Sequence, residues 1–124
     1  MQDGDEMGSA SLLEKVTLLA VADLATQGET PSYPFDVRTA IKDCIESIAD
    51  DVIGMPDEAA VSRALKALEA RNRVVVADAG DRSPVGKGRP AYTLDVDPEA
   101  VLDGLAADER LETAIAEVRA NIAG

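Results

Sequence analysis

Residues 59–74 read Ala59-Ala-Val-Ser-Arg-Ala-Leu-Lys-Ala-Leu-Glu-Ala-Arg-Asn-Arg-Val74, and two periodicities meet within them. Val61, Leu65 and Leu68 recur at spacings of four and three, which puts them on one face of an α-helix. Ala59, Ala60, Ser62, Arg63, Lys66 and Ala67 then face outward. From Arg73 the period changes. Arg73-Val-Val-Val-Ala77 and Ala91-Tyr-Thr-Leu-Asp-Val96 are β-rich runs, separated by Gly80-Asp-Arg-Ser-Pro-Val-Gly-Lys-Gly-Arg-Pro90. Two strands joined by a loop of that composition predict a long β-hairpin.

Upstream, the chain predicts two more helices. Leu12, Leu13, Val16, Leu19, Ala20 and Leu24 follow helical spacing, with Ser9 or Ser11 as N-cap and Gly28 as the stop. After a connector holding Pro31 and Pro34, a second helix is expected from about Asp36 to Asp50, with Val37, Ile41, Ile45, Ile48 and Val52 on one face. Gly54 and Pro56 punctuate the chain, and Pro56 suits the first turn of the third helix. Asp57 and Glu58 suit the positive end of its macrodipole. Downstream, Pro98 opens a last helical region reaching Ile122, with a break around Gly104 to Asp108.

Charge is unevenly placed along this frame. Residues 63–89 hold seven basic side chains (Arg63, Lys66, Arg71, Arg73, Arg82, Lys87 and Arg89) against Glu69, Asp78 and Asp81, a local +4 in a chain of net charge −12. The rest of the chain carries five basic and twenty-one acidic residues. One basic patch on an otherwise anionic protein points to an anionic partner for that patch alone. Small residues around Ser62, Arg63 and Lys66 let a helix sit deep in a DNA major groove ~12 Å wide, where those side chains reach base edges or phosphates. Arg82, Lys87 and Arg89, in the hairpin loop, are expected at phosphates or in the minor groove. Arg71 and Arg73 are either backbone anchors or partners of Glu69 and Asp78.

Catalytic chemistry is poorly supplied. Histidine is absent, which removes the commonest general base near neutral pH and the commonest transition-metal ligand. Gly86-Lys87-Gly88 lies between strands and lacks the strand–loop–helix context of a phosphate cradle. The expectation is a binding protein and not an enzyme, with no metal or cofactor. Cys44 is the one thiol, beside the apolar stripe of the second helix, and reads as a small core residue. No segment reaches the ~18 apolar residues of a membrane span, and the acidic start MQDGDEMG has the wrong sign for a signal peptide. A cytoplasmic protein is expected.

With 24 acidic against 12 basic residues, four lysines and a core of small apolar side chains, the composition resembles that of proteins from extreme halophiles. The order helix, helix, helix, hairpin, together with residues 59–74, resembles the winged helix-turn-helix regulators of the PadR and MarR-like type, whose pattern runs xxVSRxLxxLExxGLV. Leu65 and Leu68 match its core leucines. Asn72 stands where glycine is common, and Arg73 where an apolar residue is frequent. The resemblance implies an α+β, mainly α fold with a β-hairpin wing, a third helix lying in the DNA major groove, and transcriptional regulation. Within that family the chain looks like haloarchaeal regulators of the oxidative-stress response. The alternative is a winged-helix adaptor that meets an acidic protein and not DNA.

The domain plan expected is a disordered segment at 1–8, a winged-helix DNA-binding domain at 9–97 and a C-terminal dimerisation helix at 98–124. Leu111, Ile115, Val118 and Ile122 repeat at spacings of four, three and four, a coiled-coil-like seam. The first helix, with Leu12, Val16 and Leu19, offers more apolar positions than one face needs. A twofold homodimer through these two helices, bound to a near-palindromic site on double-stranded DNA, is the arrangement expected.

Overall fold

A computed structural model describes residues 11–45, 56–77 and 91–123. The chain is mainly helical, with one small antiparallel sheet. Helices α1 (Leu12–Thr26), α2 (Pro34–Ile45) and α3 (Glu58–Ala70) precede strands β1 (Val74–Ala77) and β2 (Ala91–Leu94). Helix α4 (Pro98–Leu105), a 3₁₀ turn at Glu109–Leu111 and helix α5 (Glu112–Ala123) complete the described chain. The expected break between the last two helices is present. None of these helices is long and apolar enough to cross a membrane.

Local chemistry fixes the boundaries. Ser11 caps α1, accepting from the Glu14 N–H at 3.1 Å. At the other end Gly28 takes φ +75°, and the Gly28 and Glu29 N–H groups bond back to Ala25 and Leu24 carbonyls, a Schellman closure. Helix α2 starts at Pro34, two residues before the expected position. Proline's fixed φ suits the first helical turn, and the Asp36 carboxylate reaches back to the Tyr33 N–H at 3.3 Å. Pro56 lies before α3, not in its first turn, because Asp57 is the N-cap and accepts from the Ala60 N–H at 2.8 Å. The expected end of α2 beyond Ile45, with Ile48, Val52 and Gly54, lies outside the described residues, as does the Cys44 side chain.

Helix α1 is the centre of the fold. Val16 through Ala22 are all buried, Thr17 included, which no single contact face could achieve. Helices α2, α3, α4 and α5 and strand β2 surround it on different sides. Val37 and Ile41 from α2, Val61, Leu65 and Leu68 from α3, Tyr92 from β2, Val101, Leu102 and Leu105 from α4, and Leu111, Ile115 and Val118 from the last turn and α5 join one core. Residues 98–123 therefore share the core of the preceding helices and are not an appendage to it.

Strands β1 and β2 pair in the register Val74↔Leu94, Val75↔Thr93, Val76↔Tyr92 and Ala77↔Ala91. On its other edge β2 receives an isolated bridge from Ser32, with Ser32 N–H to Tyr92 carbonyl at 2.8 Å and the return bond at 2.7 Å. This extension, from the connector between α1 and α2, was not signalled by any β-rich run. It leaves β1 as the outer strand of the described sheet.

Candidate nucleic-acid interface

Helix α3 is held from one side and open on the other. Val61, Ala64, Leu65 and Leu68 are buried against α1 and α2. At 100° per residue, Ala59, Arg63, Lys66 and Ala70 run along the opposite side. All four are exposed. Two cations thus stand in the middle of the outer stripe with a small residue at either end. Ser62, Ala60 and Ala67, expected to face fully outward, are half-buried shoulders of this stripe. Ser62 is consequently placed at the margin of any surface that α3 presents.

The helix ends in a left-handed closure. Asn72 takes φ 65°, its N–H bonds to the Glu69 carbonyl at 3.0 Å, and the Arg73 N–H bonds to the Leu68 carbonyl at 2.9 Å. This is the same Schellman arrangement as at the end of α1, with asparagine in the place glycine usually takes. It turns the chain directly into β1, and the Arg73 carbonyl accepts from the Asp95 N–H at 2.9 Å to continue the strand pair.

The basic residues divide by what they touch. Arg71 is half-buried with its Nε 3.5 Å from Glu14 Oε1 on α1, beyond good hydrogen-bond range and within ion-pair range. Arg71 has further interactions within the chain, and Asp78, one of the two partners expected for it, lies outside the described residues. Arg73 is likewise half-buried and engaged within the chain. Lys15 bonds Asp108 at 3.0 Å, joining α1 to the α4–α5 connection. Arg119 bridges α5 to α4 through Glu99 at 3.1 Å and Asp103 at 2.9 Å, which raises its pKa further. Arg38 on α2, not singled out by sequence, donates from Nε to the Pro56 carbonyl at 2.8 Å. Arg63 and Lys66 make no such bond among the described residues. Arg82, Lys87 and Arg89 lie outside the described residues, with Asp78 and Asp81.

Carboxylates border the outer stripe. Asp57 and Glu58 at the start of α3 and Glu69 near its end are exposed. Elsewhere, a groove of about 420 Å³ between the end of α1 and the start of α2 is lined by Leu24, Phe35 and Ala40 among Asp23, Glu29, Asp36 and Asp43. Among the described residues no basic side chain lines it, so those carboxylates make it unsuited to an anion.

The seam read as a dimer interface is turned inward. Val16, Leu19, Leu111, Ile115 and Val118 are buried within the single chain, and Leu12 is half-buried against the same core. Ile122, 37% exposed, is the most accessible of the seven. The four-three-four spacing matches a helix packed onto α1 as well as it matches a coiled coil, so this chain's own fold accounts for it.

No protein-family model matches the chain, and neither the curated proteins nor the solved structures yield a match.

Proposed function

We propose that the chain is a winged helix-turn-helix regulator of transcription that binds double-stranded DNA through α3. The observation that carries this reading is the outer stripe of α3, where exposed Arg63 and Lys66 stand between Ala59 and Ala70. In a chain of net charge −12, those cations lack an intramolecular partner among the described residues, while Lys15, Arg71 and Arg119 are tied to carboxylates. The order α1, α2, α3 and strand pair, with Ser32 bridging β2, supports the winged-helix reading. The resemblance to PadR and MarR-like regulators extends it to gene control under oxidative stress in a halophilic archaeon.

A homodimer on a near-palindromic site belongs to the same proposal. Since most of the expected seam is committed to the core, a dimer contact would be sought around exposed Ile122 at the end of α5. The adaptor reading is favoured by one observation, the exposed carboxylates Asp57 and Glu58 at the start of α3, which oppose phosphate approach. A mobility-shift titration in molar potassium chloride separates the two. Arg63→Ala or Lys66→Ala is expected to cost roughly 1–3 kcal/mol of DNA binding if base edges are read. Wild-type affinity in both variants would remove α3 from the DNA surface.

A further inference from the structure

Arg38 lies on α2, yet it is bonded to the start of α3. Its Nε donates at 2.8 Å to the carbonyl of Pro56, the residue just before the Asp57 N-cap. That single bond uses the side-on position of the guanidinium. The terminal edge, with two amino groups in one plane, matches two oxygens of a phosphate. Neither Asp57 nor Glu58 pairs with Arg38 among the described residues, although both follow Pro56 directly in the chain. Lys42 stands four residues along, on the same side of α2, exposed and likewise without a partner among the described residues.

Taking the DNA-binding reading above as its basis, we infer that Arg38 and Lys42 form a phosphate-contacting row on α2. In helix-turn-helix docking the second helix of the pair enters the major groove while the first crosses the sugar-phosphate backbone. Cations on α2 near the start of α3 therefore meet backbone, not bases. Arg38 has a further advantage over a free surface cation. Half-buried and already held by Pro56, it gives up little conformational freedom on meeting a phosphate. The same bond ties the contact to the placement of α3, so the backbone grip and the groove-reading helix move as one unit.

The test uses the full chain and a fluorescently labelled random-sequence DNA duplex, titrated at several potassium chloride concentrations with circular dichroism at each. Arg38→Gln keeps a neutral donor for Pro56, and Arg38→Lys keeps the charge. Lys42→Gln alters only an exposed side chain. The expected result is a several-fold loss of affinity in both glutamine variants, with each slope of log affinity against log salt shallower by about one. Arg38→Lys should restore that slope. If Arg63→Ala weakens binding while both glutamine variants bind with wild-type affinity and slope, the row is refuted and the α3 reading stands. An affinity loss in Arg38→Gln with unchanged slope and no rescue by lysine would reduce Arg38 to a structural tie and also refute the row. If the wild-type chain does not bind duplex DNA, both readings fall together.

Discussion

Arg71, at the end of α3, has its Nε 3.5 Å from Glu14 Oε1 in the first turn of α1. A cation from the basic stretch therefore fastens the proposed reading helix to the central helix of the core. Its side chain and that of Glu14 are 25% and 22% exposed, so water screens the pair only in part.

Arg71→Ala is accordingly expected to lower stability by about 1 kcal/mol, more than a fully exposed pair contributes. The salt slope of DNA binding should be unchanged, because no phosphate contact is lost. Denaturation of Arg71→Ala, Glu14→Gln and the double variant measures the coupling directly. Additive losses would show that the two side chains do not interact in solution.

Removing everything after Val96 is expected to unfold the protein. The truncated chain would lose Val101, Leu102, Leu105, Leu111, Ile115 and Val118, all buried beside α1. Single truncations of large core side chains already cost about 2–5 kcal/mol. Circular dichroism and sedimentation of the shortened chain check this, and a cooperative thermal transition would contradict it. For oligomeric state the informative change is Ile122→Lys, which alters an exposed position without touching the core.

The response of DNA binding to salt is expected to be shallow. Counterion release ordinarily makes affinity fall by about one log unit per log unit of salt for each neutralised phosphate. Exposed Asp57 and Glu58 border the outer stripe of α3, and cations gathered there on binding oppose that release. Dissociation constants from about 0.5 M to 3 M potassium chloride, with folding followed in parallel, decide the point. A steep slope matching seven or more released cations in a folded protein would show that these carboxylates play no part.

Alkaline stability should depend on Tyr92. Burial, and secondarily the nearby Glu69 carboxylate, raise its phenol pKa above the ordinary value. The folded state thus holds the proton more tightly than the unfolded chain does. The contribution is complete below pH ~10 and is lost as pH rises towards the folded pKa. Melting temperatures between about pH 8 and 11 should fall more steeply for the wild type than for Tyr92→Phe. Parallel curves would assign the decline to other groups.

Sequence made α3 legible because its inward residues follow one strict spacing and its outward residues are small or basic. The stop at Gly28 and a serine cap, at Ser9 or Ser11, were legible from local chemistry, while Asn72 was marked only by the resemblance, in which glycine is common at its place. Helix α1 was harder to read. A helix apolar all round is buried on all sides, yet its own sequence does not say whether the cover comes from its own chain or from another. Arg71 likewise stood near Glu69 in sequence, while its partner Glu14 lies on a helix many residues away. Arg38 gave no signal because its acceptor is a backbone carbonyl, which any residue provides.

The central position of α1 also governs how the protein comes into being. This helix is synthesised before all the elements that cover it, so Val16 to Ala22 leave the ribosome as an apolar run. Helix α5, which closes one side of it, follows only after eighty-five further residues, 27–111. Contacts spanning that separation form late, and an unclosed intermediate exposes a surface prone to association. Stalled or slowed synthesis before α5 should therefore harm yield more than its effect on final stability would suggest.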